Sequence, residues 1–270
     1  MEIFSQIYKW GIFGFFYKEN VLNSAESIDE VFSSPMLLLL CAASVILCII
    51  AGYFLGSVNA SIIVSKIFDR DDVRKYGSGN AGMTNMLRNF GAKAAVLTLV
   101  GDLLKTVIAV SLSGVIFGFL YYNGMSYRGE CYFAGLMTVI GHIFPVYYNF
   151  KGGKGVLATS VMVLYLCPLA FLVLFLLFAI LVGWTKYVSL GSVVAAGLLP
   201  VVLESYCAIF LKMPMNGLIT IASVIIALLV IWCHRENLVR IGNRTENKLS
   251  FGKKKPVEED TVEESGSDDI

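Results

Sequence analysis

The sequence predicts an all-α integral membrane protein with about seven helical segments, five of them long and two forming a re-entrant half-helix pair. Two features carry this prediction. Of 270 residues, 57% are hydrophobic and 15% are charged, against roughly 25% charged in an average soluble domain. Four stretches, 36–64, 92–122, 131–148 and 215–233, are also apolar and long, and crossing a hydrocarbon core takes about 20 residues of helix. One buried helix of a large soluble protein looks the same, but so short a chain has too little other protein to cover four.

Taken in order, residues 1–34 read as an amino-terminal interfacial segment. Aromatics crowd Trp10 to Tyr17 before a polar, acidic stretch, and such side chains favour the headgroup layer. Residues 35–248 form the membrane domain. From 249 onward, Lys253, Lys254 and Lys255 lead into an acidic run with almost nothing to bury, so 249–270 is expected to be a disordered charged tail.

Within the membrane domain, charge orders the loops. The loop 66–93 carries Lys66, Arg70, Arg74, Lys75, Arg88 and Lys93; the tight loop at Phe150 carries Lys151 and Lys154; the segment from His234 carries Arg235, Arg240, Arg244 and Lys248. The loops 121–130 and 204–215 carry one cation each. Positive charge is retained in the cytoplasm, so the first set is expected inside, with the amino terminus outside and the carboxy terminus inside a bacterial plasma membrane. Residues 188–211 must then run outward from Trp184-Thr185-Lys186, and 156–183 must leave and return on one face. These 28 residues, with Pro168 near the middle, suit two half-length helices of about 20 Å each. The competing topology is one long tilted helix, which puts its flanking loops on opposite faces.

Composition also excludes. A net charge of +1 without a basic patch gives no reason to expect nucleic acid as a partner. The six cysteines lie in apolar segments without CxxC or Cys/His spacing, so neither a metal site nor a disulfide frame is expected. No secretory leader is expected either.

Two loops carry the chemistry. Gly77-Ser78-Gly79-Asn80-Ala81-Gly82 continues through Met83, Thr84 and Asn85 to Arg88. Three glycines let backbone amides converge as an anion cradle, and Arg88 adds a planar fork suited to phosphate; the competing reading is an ordinary capped loop. The second loop reads Phe150-Lys151-Gly152-Gly153-Lys154-Gly155-Val156 after Gly141-His142. It places two cations beside exposed amides at a helix start, or else serves only to orient the chain in the membrane. His142 alone reads as a structural, hydrogen-bonded histidine.

Five motifs then stand in order: Ser78, Gly79 and Asn80 with Asn85 and Arg88; Gly101-Asp102 with Lys105; Gly141-His142 with Phe150 to Val156; Tyr187-Val188-Ser189-Leu190; and His234-Arg235 with Asn237. On these the chain resembles the bacterial acyl-phosphate:glycerol-3-phosphate acyltransferases over 52–248. The resemblance implies a small helical bundle with a cytoplasm-facing active site and no cofactor. Its substrates would be acyl phosphate and glycerol 3-phosphate, its product lysophosphatidate acylated at sn-1, and its setting the lipid bilayer, in a monomer or an oligomer. It implies Ser78, Asn80, Asn85, Arg88 and Ser189 as glycerol 3-phosphate ligands. The donor's phosphate would fall to Lys151, Gly152, Gly153, Lys154, Gly155 and Thr159, and catalysis to His234, Asn237, Ser78, Arg88 and Lys154. The chain departs from the family pattern at Met83, usually alanine, at Leu157, which displaces Thr159 by one position, and at Arg244, usually glycine.

An acyl phosphate is an activated anhydride, so no covalent nucleophile is needed. The task is to hold two mutually repelling anions together. His234, steadied by Asn237, or the donor phosphate itself is the candidate base. The His-x4-Asp pair of other glycerolipid acyltransferases is absent, since Tyr147 and Val239 occupy the partner positions. Asp102 and Lys105 read as an ion pair across one helical turn. Ser189 either donates to a substrate phosphate or packs between helices. Glu246, after Arg240 and Arg244, reads as tying the tail down. A phosphorylated-solute transporter would show internal repeats and midplane ligands, and a lipid phosphotransferase would need clustered metal-binding aspartates; the loops are not repeats of one another, their cations sit at one edge, and the apolar core holds no such cluster.

Overall fold

In the computed structural model, residues 35–69, 71–117, 129–212, 214–215 and 217–249 are described, and all regular structure among them is helical. The expected interfacial segment at 1–34 and all but the first residue of the expected tail lie outside them. The chain runs α1 Pro35–Ser57, α2 Ala60–Asp69, α3 Met83–Asn89, α4 Gly91–Phe117, α5 Gly129–Ile143, α6 Val156–Leu166, α7 Pro168–Thr185, α8 Val188–Tyr206, α9 Gly217–Cys233 and α10 Arg235–Gly242. Five stretches are long and apolar enough to cross a membrane: Val45–Phe68, Gly91–Ile116, Cys131–Tyr148, Pro168–Thr185 and Val188–Leu211. The pair α9 and α10, bent by 51°, makes a sixth if taken as one span.

Lipid, not protein, must cover these helices. Only 17% of α7 is buried within the molecule, and Leu172, Val173, Phe175, Leu176 and Ile180 are exposed along it. Each such side chain would lose about 1.5–3 kcal/mol of burial free energy if it faced water. In hydrocarbon that loss disappears. The protein is a multi-pass integral membrane protein.

Close helix packing follows from small residues. A Cβ at Gly52 would lie 2.8 Å from the carbonyl oxygen of Ala134, and one at Gly101 would lie 2.7 Å from the Cβ of Ala60. Thus α1 meets α5, and α4 meets α2, at backbone distance, as small residues permit in bilayers. The main core, including Tyr132, Leu136, Met162, Leu199 and Ile226, knits α5, α6, α8 and α9 together. A satellite of Ile62, Val73, Met86 and Ala94 lies beneath the first polar loop. Between α1 and α2, Asn59 accepts from Ser61 Oγ (2.8 Å) and the Ile62 amide (3.2 Å), an N-cap that starts the second helix.

The 156–185 segment settles the competing topologies. Its break falls at Cys167, whose extended φ of −145° is what a residue before proline adopts, and Pro168 opens α7 at its first position. Lys154, just before α6, bonds Asn237, while Lys186, just after α7, accepts from the Leu249 amide at 2.7 Å. Asn237 is itself bonded to Glu246, three residues before Leu249. Both ends of the segment therefore lie at one end of the bundle, and a single long tilted helix is excluded. The arms are unequal, however. The 11 residues of α6 reach about 16 Å and the 18 of α7 about 27 Å, because the proline sets the turn nearer the start than the segment's midpoint.

Candidate active site

The first polar loop is built by side chains. Asn85, 3% exposed, donates through Nδ2 to the carbonyls of Val73 (3.2 Å) and Tyr76 (2.9 Å), and its Oδ1 accepts from the Ser78 amide at 3.2 Å. Its polar atoms hold the loop, so its part in the site is positioning. Gly77 has φ +58°, and a Cβ there would lie 2.6 Å from Asn85 Oδ1; only glycine fits. The expected amide cradle is not what these glycines make. The Gly79 amide donates to the Tyr76 carbonyl and the Gly82 amide to that of Asn80, because tight turns satisfy their own donors first. The loop lines the cavity beside it with Ser78, Asn80, Thr84 and Arg88, and with the backbone of Gly77 and Gly82.

Arg74 fastens this loop to the next one. Its guanidinium grips both Asp72 oxygens (2.7–3.1 Å), and its Nη1 donates to the carbonyls of Tyr148 (2.8 Å) and Lys151 (2.9 Å). The second loop then folds onto the end of α5, with the Gly152 amide on the Ile143 carbonyl (3.1 Å) and the Gly153 amide on that of His142 (3.0 Å). These two amides are therefore not free for an anion. Lys151 is exposed and does not line the cavity, whereas Lys154 and Gly155 do.

A polar network joins the remaining residues. Lys154 Nζ bonds Asn237 Oδ1. Asn237 Nδ2 donates to Glu246 Oε1 at 2.6 Å, Ser189 Oγ to the same oxygen at 2.9 Å, and Arg240 Nε to Oε2 at 2.8 Å. Burial works against ionisation of Glu246, but these three donors hold its carboxyl below the ordinary value. Burial also lowers the Lys154 ammonium below an ordinary lysine, with Glu246 opposing that shift. Asn237 was expected to steady His234; it holds Lys154 and Glu246 instead. His234 sits at the bend between α9 and α10, and its Nδ1 lies 2.8 Å from the Val230 carbonyl. A carbonyl only accepts, so Nδ1 carries the proton and Nε2 keeps its lone pair.

The sequence-predicted residues Ser78, Asn80, Asn85, Arg88, Lys154, Gly155, Thr159, His234 and Asn237 all line one cavity of about 670 Å³. Lys151, Gly152, Gly153 and Ser189 do not. The Ser189 hydroxyl is engaged by Glu246 rather than turned to the cavity. Asp102, His142, Arg240 and Glu246 also reach the wall, although their sequence context points to structural or tail-binding groups. Away from these polar residues the cavity runs between α6, α7 and α8 along Val163, Phe171, Leu174, Phe178, Ala196 and Leu199. It is amphipathic by construction, with a cationic, hydrogen-bonding end and a greasy arm.

Residues 46–244 match the family model described as glycerol-3-phosphate acyltransferase. The chain is 38% identical over 204 residues to glycerol-3-phosphate acyltransferase 2 of Bacillus anthracis, covering 76% of this chain and 98% of that protein. It is 39% identical over 215 residues to the glycerol-3-phosphate acyltransferase of Halalkalibacterium halodurans, covering 77% and 96%. Among solved structures it resembles PlsY (YgiH), an integral membrane glycerol 3-phosphate acyltransferase. Against the glycerol 3-phosphate form the TM-score is 0.66 and identity is 31%, with 77% of this chain and 96% of that one covered. Against the lysophosphatidic acid form the TM-score is 0.64 and identity is 30%, with the same coverage. The chain belongs to the glycerol-3-phosphate acyltransferase family.

Proposed function

We propose that this glycerol-3-phosphate acyltransferase takes its acyl group from acyl phosphate and places it on the sn-1 hydroxyl, releasing lysophosphatidate and inorganic phosphate. The observation that carries the reading is the single cavity joining Arg88 and Lys154 to an apolar arm. A long-chain acyl phosphate has that polarity, with a dianionic head and a hydrocarbon tail, and glycerol 3-phosphate is a second small anion for the same polar end.

In this reading Arg88 grips the phosphate of glycerol 3-phosphate, with Ser78 and Asn80 as neutral donors. Lys154, fixed by Asn237, holds the donor's phosphate beside the scissile anhydride. The sn-1 oxygen attacks the acyl carbon, the bond from that carbon to the bridging oxygen breaks, and the oxygen leaves with the phosphate. The hydroxyl proton passes to His234 Nε2, whose lone pair is free because Nδ1 donates to Val230, or to the departing phosphate. Catalysis comes from positioning two anions and neutralising their repulsion. By the distribution of cations, the polar end faces the cytoplasm and the amino terminus lies outside. The test is purified protein in detergent with both substrates: lysophosphatidate and phosphate should appear in equal amounts, and their absence sinks the proposal.

A further inference from the structure

Three charged or ionisable side chains are buried together where α4 meets α5: Asp102, Lys105 and His142, at 1%, 6% and 3% exposure. Lys105 Nζ lies 2.8 Å from Asp102 Oδ1, 3.1 Å from the Gly56 carbonyl, 2.8 Å from that of Val58 and 2.9 Å from His142 Nδ1. The two carbonyls can only accept, and Asp102 Oδ1 pairs with the nitrogen by charge without a hydrogen bond of its own, so the nitrogen is an ammonium whose three N–H groups face the two carbonyls and His142 Nδ1. An ammonium has no lone pair, so His142 Nδ1 must accept as well, and the ring's proton sits on Nε2. His234 shows the opposite tautomer.

No described residue receives that proton. His142 Nε2 has no hydrogen-bond partner among the described residues, and His142 lines the cavity. The edge of the ring is kept open by Gly153. A Cβ at that position would clash with Nε2 and lie 2.7 Å from the Ala81 carbonyl oxygen. This gives Gly153 a function other than the anion cradle expected of it. The charged groups in contact with the ring are Lys105 and Asp102 on α4, and Arg88, Lys154, His234, Arg240 and Glu246 line the same cavity.

We propose that His142 is a substrate-binding residue, presenting a neutral Nε2–H to a phosphoryl oxygen of a bound reactant, and that Lys105 is the positioning residue that fixes this tautomer. The proposal rests on reading the cavity as the active site. A donor held neutral by its neighbour can meet an anion without exchanging a proton with it, which separates His142 from His234, whose bare Nε2 is fitted to accept one.

The chain contains two histidines, so imidazole-15N-labelled protein in detergent yields two ring systems, assigned with a His234→Gln variant. At neutral pH we expect His142 protonated at Nε2 and bare at Nδ1, with His234 reversed. Glycerol 3-phosphate and inorganic phosphate are then added separately. A shift of the His142 Nε2 signal with glycerol 3-phosphate alone assigns the acceptor substrate as its partner, and a shift with phosphate assigns the donor's phosphate site. In turnover, His142→Phe should lower kcat/KM by about 10- to 100-fold, the loss of one hydrogen bond to a charged group, and His142→Gln, which restores an N–H there, should recover most of it. Lys105→Met with Asp102→Asn, which avoids stranding a carboxylate, should leave His142 in mixed tautomers. Protonation of His142 at Nδ1 in the wild-type protein would overturn the proposal whatever the kinetics. So would a competent enzyme whose His142 signal ignores both ligands. A wild-type protein that makes no lysophosphatidate overturns the active-site reading, and this role with it.

Discussion

Lys154 and Asn237, 83 residues apart in sequence, are joined side chain to side chain at the wall of the cavity. The same asparagine passes its amide to Glu246, which also holds Ser189 and Arg240. The cation that the second loop places in the cavity wall is thus aimed by the carboxy-terminal segment, and the two can be uncoupled by mutation.

Asn237→Ala should leave the Lys154 ammonium without its anchor and Glu246 with two donors instead of three. Hydrogen bonds to charged groups are worth about 1.5–3 kcal/mol each, so kcat/KM is expected to fall by about 10- to 100-fold. Steady-state kinetics checks this. Unchanged kinetics in a well-folded variant would remove Asn237 from the site.

Arg88→Ala should raise KM for glycerol 3-phosphate more than KM for the acyl donor, by about 10-fold or more on the same hydrogen-bond scale. Equal effects on both substrates would mean that the arginine does not distinguish them.

Arg74→Ala removes the staple between the two loops while touching no cavity atom. Two carbonyls and a carboxylate lose the guanidinium, while Asp72 keeps the backbone amide of residue 74 and Tyr148 that of Lys151, so thermal stability should drop by about 1–3 kcal/mol, read as a lower midpoint in a detergent melting curve. A variant as stable as the parent would show the loops held by other contacts.

The pH profile should carry the signature of Lys154. Its ammonium titrates below the ordinary value of 10.5 because burial disfavours the charge. If the charged form is the active one, the rate falls as pH rises through that lowered pKa, and Lys154→Arg should push the limb to higher pH. On the acid side Glu246 titrates below its ordinary 4.5. The stability it contributes is therefore complete above the unfolded pKa and is lost only as pH falls through the lower, folded one. An alkaline limb that stays put in Lys154→Arg would assign the titration to another group.

Much of this architecture was legible because the controlling terms are one-dimensional. Apolar length marked most of the spans, although Pro168–Thr185, expected as a half-length arm, is itself long enough to cross; Pro168 marked the break, since proline constrains the residue before it wherever it stands. That Glu246 ties the tail to an arginine before it was also readable, though not which of Arg240 and Arg244 it takes; the partner is Arg240. Other features depend on which of several equivalent partners a group finds. Gly79, Gly82, Gly152 and Gly153 look like free amides in sequence, yet each donates to a nearby carbonyl. Asn237 stands three residues from His234 but turns to Lys154, and the reach of Arg74 to Tyr148 and Lys151 exists only after the loops meet. Helix periodicity carries no record of such choices.

The central claim is that one cavity brings an acyl phosphate and glycerol 3-phosphate together without a covalent intermediate. The most direct measurement offers the purified protein acyl phosphate and an acyl thioester of the same chain in parallel, with labelled glycerol 3-phosphate, and counts phosphate released per lysophosphatidate formed. The account predicts one phosphate per product from the acyl phosphate, little product from the thioester, and loss of both signals in Lys154→Ala. Efficient transfer from the thioester, or full activity without the lysine, would contradict it.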